Sequence, residues 1–83
     1  MIHVRKGEQL FPFSEGIMAK SLTGSGLSVE EAYEIVRKIR GQLWAEEMKE
    51  VSSDDLKQRI SEELQRRGRE SAERFYRLRR HIK

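Results

Sequence analysis

The stretch Leu10–Ile35, LFPFSEGIMAKSLTGSGLSVEEAYEI, restricts the fold more than any other part of the chain. Phe11-Pro12-Phe13 cannot lie inside a helix, because proline has no N–H to give and pushes the residue before it toward extended geometry. Ser14 then offers an N-cap oxygen, and Ile17, Met18, Ser21 and Leu22 mark one side of a first helix running from about Glu15 to Thr23. Gly24-Ser25-Gly26 stops it, since glycine reaches the φ > 0 conformations that end helices. Ser28-Val29-Glu30-Glu31 fits a capping box, in which the Ser28 hydroxyl takes the N3 amide and Glu31 reaches back.

After that cap, Val29, Ala32, Tyr33, Val36, Ile39 and Leu43 recur every three or four residues, giving one apolar stripe over four turns. Trp44 lies at its margin and Met48 near its end. A third helix opens at Ser52-Ser53-Asp54-Asp55, with hydroxyl caps and two carboxylates toward the positive end of the helix dipole. Leu56, Ile60 and Leu64 form its core seam, and Gly68 breaks it. A fourth helix, from about Glu70 to Ile82, offers Ala72, Phe75, Tyr76, Leu78 and Ile82. Ahead of all this, Ile2, His3 and Val4 read as a strand. A turn at Lys6-Gly7-Glu8 returns the chain as a second strand over Gln9–Phe11. A lone hairpin is marginal in water, so it must lie on the helices or pair with something else. The expected fold is α+β, an N-terminal β-hairpin packed on a four-helix cluster, with residues 1–83 forming one domain.

Composition narrows the function classes. The chain has 83 residues, is 36% hydrophobic and 37% charged, and its apolar residues fall at helical spacing, which argues against disorder. It has no cysteine, so disulfides, thiolate zinc sites and cysteine nucleophiles are excluded, and a cytoplasmic location is expected. No apolar run approaches the roughly 20 residues that cross a bilayer, so no membrane partner is expected. His3 and His81 stand far apart without acidic companions and make no metal site. No catalytic constellation is present. The pattern G-x-x-x-x-G-K-[ST] is absent, because Leu27-Ser28 follows Gly24-Ser25-Gly26. The net charge of +3 is uneven: residues 67–83 carry seven Lys/Arg against two Asp/Glu, whereas residues 1–66 carry ten against twelve. An anionic partner is therefore sought at the last helix and at Arg5-Lys6. Phe11, Phe13, Trp44, Phe75 and Tyr76 read as core.

The order of these pieces resembles the ATP-cone, a small regulatory nucleotide-binding domain found in ribonucleotide reductases, in their transcriptional repressor, and ahead of the kinase domain of archaeal 2-phosphoglycerate kinase. The wording PFSEGIMAKSL…GL…AYEI is most similar to the last of these, and AERFYRLRRHI looks like that family's A-E-R-Y-x-L-W-R-x-I ending. Lacking the phosphate-binding pattern, the chain matches the N-terminal module and not a complete kinase. The resemblance implies a binding domain, not an enzyme in itself. Its ligand would be ATP or a related adenine nucleotide, with or without Mg²⁺. Its partners would be an attached or associated kinase or other catalytic domain, and further copies of itself.

By the same resemblance Arg5 and Lys6 would meet the phosphates, with Val4 beside them. Ser53 and Lys57, one helical turn apart, would touch the nucleoside. Lys20 and Arg79 would add cations, with Arg80 and His81 as neighbours of the latter, and Phe75 and Leu78 would be core. One departure stands out: Glu15-Gly16 occupies a position where these kinases commonly carry lysine, and a carboxylate aimed inward would repel a triphosphate. Two other readings compete. One is nucleic-acid binding through Arg74, Arg77 and Arg80 or His81, a basic stripe at three- and four-residue spacing. The other is a helical protein-interaction module that has lost its ligand, which Glu15 favours.

Overall fold

The computed structural model describes residues 1–79; the Arg79 side chain lies outside that description, as do Arg80, His81, Ile82 and Lys83. Strands β1 (His3–Lys6) and β2 (Gln9–Pro12) form the expected antiparallel hairpin, with Val4 opposite Phe11 and Lys6 opposite Gln9. Helices α1 (Glu15–Thr23) and α2 (Val29–Ala45) follow. A third strand, β3 (Glu50–Ser52), then pairs parallel to β1, and α3 (Ser53–Arg66) and α4 (Glu70–Arg79) complete the chain. The sheet order is β2-β1-β3. β3 is the element that the sequence reading lacks, and it supplies the partner the hairpin required: Val4 lies opposite Val51, and Arg5 opposite Ser52.

Local chemistry explains the helix ends. Ser14 Oγ accepts from Ile17 N (3.2 Å), Ser28 Oγ from Glu31 N (3.1 Å) and Ser52 Oγ from Asp55 N (3.0 Å), each satisfying an amide left over in a first turn. Ser52, not Ser53, therefore caps α3. Only half of the capping box at Ser28 forms. Glu31 turns away from its own helix start, to Arg69 (3.0 Å) and Arg67 (3.4 Å) across the fold. After α1 it is Gly26 that has positive φ (105°), while Gly24 is still helical. Gly68 (φ 73°) closes α3 in the same manner, with Arg69 N donating to Leu64 O at 2.8 Å.

One hydrophobic core unites sheet and helices. Ile2 and Val51 contribute from the strand side, Ala19 and Leu22 from α1, Leu27 from the α1–α2 turn, and Ala32, Ile35, Val36, Ile39 and Leu43 from α2; Leu56, Ile60 and Leu64 of α3 and Ala72 and Tyr76 of α4 complete it. The apolar spacing had over-assigned this core. Val29, Trp44, Phe75 and Leu78 are exposed (59%, 69%, 51% and 57%), Phe11 is half-exposed, and Ile35 belongs inside although it was not on the expected stripe. On α4 Tyr76 faces inward and its neighbour Phe75 faces solvent. Among the described residues, no helix is long and apolar enough to cross a membrane.

Ion pairs tie the helices together around a buried carboxylate. Glu63, whose side chain is only 2% exposed, accepts from Lys38 (3.1 Å) and Arg67 (2.8 Å) and also pairs with Arg66. Burial alone would push the Glu63 carboxyl up, but the hydrogen bonds from Arg67 and Lys38 prevail and hold it below the ordinary range. A second buried carboxylate, Glu73, is met by the Ser61 hydroxyl and by Arg77 (2.9 Å). Arg59 joins Asp55 (3.1 Å) to Glu46 (2.8 Å) and so fastens α3 to the end of α2.

Two outcomes follow. Ile60 is fully buried, so Ile60→Ala should lower the unfolding free energy by about 2–5 kcal/mol, whereas Trp44→Ala should change it by less than about 0.5 kcal/mol; urea titration reads both. Hydrogen bonds from arginines hold the Glu31, Glu46 and Glu50 carboxyls below their usual value, as they do Glu63 against its burial. A depressed folded-state value means that these pairs stabilise fully above the unfolded carboxyl range, near about 4.3, and that their contribution is lost as pH falls through the folded values. Stability should thus be level from neutral pH down to about 5 and decline below it. Glu63→Gln should lower the neutral-pH level by about 2 kcal/mol and flatten the acid decline.

Candidate functional site

The parallel pairing of β1 with β3 decides where a ligand can sit. β3 runs directly into α3, so the register Arg5↔Ser52 sets the first turn of α3 beside β1. Alternation along β1 then sends Val4 and Lys6 to one face of the sheet and His3 and Arg5 to the other. On the Val4 face, the hairpin, α1, the start of α3 and Tyr76 of α4 enclose a groove of about 350 Å³. Val4, Phe11, Leu56 and Met18 give it apolar walls, and Ser14, Ser21, Ser53, Lys57 and Tyr76 bring the polar groups.

Three of the seven residues singled out from sequence meet in this groove: Val4, Ser53 and Lys57. Ser53 and Lys57, half-buried, stand one turn apart on α3 and face the same way. Lys6 follows Val4 by two residues on the same face of β1 and is exposed near the hairpin turn, outside the groove's lining. Arg5 is elsewhere. Its guanidinium crosses β1 to β3 and grips the Glu50 carboxylate in a two-pronged pair, Nη2 donating to Oε1 at 3.2 Å and Nε to Oε2. That contact raises the Arg5 pKa and lowers that of Glu50. Lys20 is exposed on the outer flank of α1 and does not line the groove. The Arg79 side chain is outside the described residues.

Glu15 resolves the departure noted at the head of α1. Its carboxylate lies against α2, where it accepts from Arg40 (2.7 Å) and approaches Arg37 (3.8 Å). It takes no part in lining the groove. The repulsion expected from an inward-facing carboxylate is therefore absent. The basic end of the chain is also largely committed within the described residues, since Arg66, Arg67, Arg69 and Arg77 all pair with glutamates. Among the described residues, no group of three or more His, Asp or Glu side chains is placed to hold a metal ion.

Sequence reasoning missed Phe11 and Ile17 as groove residues, having assigned Phe11 to the core and Ile17 to the packed side of α1. Ile17 is 72% exposed, while Ala19 and Leu22 do the packing. The available signal was Ser14: its cap fixes the angle at which α1 leaves the hairpin, which sets positions 14, 17, 18 and 21 along one strip.

No protein-family model matches the chain, and no solved structure matches it. Several curated proteins do. The chain is 40% identical over 74 residues to the 2-phosphoglycerate kinase of Methanopyrus kandleri, an alignment covering 89% of this chain and 23% of that protein. It is 32% identical over 83 residues to the Methanococcus vannielii 2-phosphoglycerate kinase, covering 99% of this chain and 26% of that one. The corresponding figures for Pyrococcus furiosus 2-phosphoglycerate kinase are 31% over 72 residues, 86% and 24%. The chain thus spans about a quarter of the length of the curated relatives it matches. This chain is a relative of the archaeal 2-phosphoglycerate kinases, matched to their N-terminal region alone.

Proposed function

We propose that the chain is a regulatory nucleotide-binding domain of the ATP-cone type, taking an adenine nucleotide in the groove between the hairpin and the start of α3. The observation that carries this reading is the meeting of Val4, Ser53 and Lys57, contributed by two elements far apart in sequence, in one apolar-walled cavity. An adenine ring suits walls made by Val4, Phe11 and Leu56. Hydroxyls of Ser53 and Tyr76 offer hydrogen bonds to base or ribose, Lys57 offers a cation to the phosphate, and Lys6 adds a cation outside the lining. Arg5 serves in this reading by holding β3 to β1 through Glu50, and Lys20 and Arg79 are left as outlying cations. Mg²⁺ would reach the site only with the nucleotide's own phosphates.

The partner is a catalytic domain of the kind that 2-phosphoglycerate kinases carry, attached or associated. The groove draws its walls from the hairpin, α1, α3 and α4, so a ligand there bears on the relative placement of all of them. For that to regulate anything, the ligand must bind two states of the domain with different affinity. Self-association is one form such a second state can take.

A second reading, a protein-interaction module, is favoured by the exposed Trp44, Phe75 and Leu78. Nucleic-acid binding has less support, since Arg77, one of its proposed contacts, is engaged by Glu73.

Calorimetric titration with ATP decides between them. Heat of binding is expected, and the double variant Phe11→Ala/Lys57→Ala should weaken binding at least about tenfold while keeping its helical circular dichroism. No heat with any adenine nucleotide, or undiminished binding by the folded variant, contradicts the nucleotide reading.

A further inference from the structure

The outward face of α2 carries two features that the packing of the chain does not explain. Trp44, the one tryptophan of the sequence, is 69% exposed. Gly41, one turn before it, sits inside a 17-residue helix, where glycine is among the least favourable residues. Among the described residues, a Cβ at Gly41 would meet nothing within 4 Å, so no neighbour there requires the glycine. Its missing side chain leaves a notch in which another backbone can come close. The notch belongs to a hollow of about 320 Å³ lined by Glu15, Arg37, Arg40, Gly41 and Trp44. A second hollow, sharing Glu15, Arg40 and Trp44, extends it to Met1 and Phe13. Arg37 lies over the ring of Tyr33, 5.4 Å from its centroid, and its side chain is still 68% exposed.

We infer that this face is where two copies of the chain pair, their α2 helices crossing antiparallel at Gly41. Spacing selects that arrangement. Arg37 stands four residues before Gly41 and Trp44 three after it. A two-fold axis between the glycines therefore brings Arg37 of each copy within about 1.5 Å, along the helix, of Trp44 of the other. Symmetry makes this contact twice, a guanidinium on an indole, the most favourable ring for a cation. A parallel crossing would instead set Arg37 against Arg37, like charges face to face. Each copy brings two arginines and one carboxylate to the hollow, and Glu15 is already held by Arg40 at 2.7 Å. Stacking and apolar burial join the copies, not ion pairs. One helix face with a single tryptophan anchor is at the low end of stable interfaces, so the dimer is weak and concentration-dependent. No residue of this hollow lines the groove, and the pairing stands independently of the nucleotide reading.

The test is sedimentation velocity at protein concentrations from about 1 µM to about 1 mM, read beside the fluorescence of Trp44. The chain should pass from monomer to dimer with a dissociation constant of about 10–100 µM, and the indole emission should move to shorter wavelength over the same range. Raising salt from about 0.05 to about 0.5 M should not weaken the dimer, as it would an interface of exposed ion pairs. Gly41→Gln should loosen the dimer at least about tenfold while raising the melting temperature of the monomer, which separates a lost interface from a lost fold. Arg37→Ala should loosen it about fivefold, and Trp44→Ala should leave a folded monomer. A monomer at every concentration, a dimer that salt dissolves, or a dimer that Gly41→Gln leaves intact overturns the inference.

Discussion

The parallel pairing of β1 with β3 is the contact on which the rest of the structure depends. β3 has only three residues, Glu50–Ser52, and nothing separates it from α3. Its register against β1 is held at three levels. His3 N donates to Lys49 O at 2.9 Å just outside the strand, Val51 packs into the core opposite Val4, and Arg5 spans to the Glu50 carboxylate. A strand this short has few ladder bonds of its own, so the buried valine and the ion pair decide its alignment. Slipping it by one residue would turn Val51 outward and swing α3 away from the hairpin. The groove would go with it, since Ser53 and Lys57 reach Val4 only through this register.

The helices were legible in the sequence because their signals are local. Ser14, Ser28 and Ser52 cap within three residues, and α1 falls where the cap and glycine turn set it. β3 was illegible for a related reason: Glu-Val-Ser shows one apolar residue with no alternation to read, and its partner lies more than forty residues away. Long-range partners also account for the half-formed capping box, because Arg67 and Arg69 draw Glu31 from its own helix start. The core was over-assigned where apolar residues sit on the flanks of a helix. Trp44 and Phe75 lie next to the buried Leu43 and Tyr76, and a helix turned by one residue would have exchanged them.

The candidate site was partly legible. Ser53 and Lys57 share a helix face by spacing alone, and the family resemblance joined them to the hairpin. What sequence could not show was the pleat of β1, which separates Arg5 from Val4 and Lys6. Two adjacent cations read as one phosphate-binding unit along the chain, yet a strand must send them to opposite faces. Glu15 carries the same lesson in reverse. As a sequence feature it opposed an anionic ligand, but Arg40 and Arg37 hold it against α2. Many of the cations of the described chain are engaged in this way, in ion pairs around Glu31, Glu63 and Glu73, leaving an apolar groove with one lysine in its lining.

Backbone amide NMR of the protein titrated with ATP tests the central claim most directly, because it locates the ligand residue by residue. The account predicts shifts concentrated at Val4, Phe11, Ile17, Ser53, Lys57 and Tyr76, the elements brought together by the β1–β3 register. Shifts clustered instead around Ser28, Arg69 and Phe75, on the hollow between the starts of α2 and α4, would contradict it.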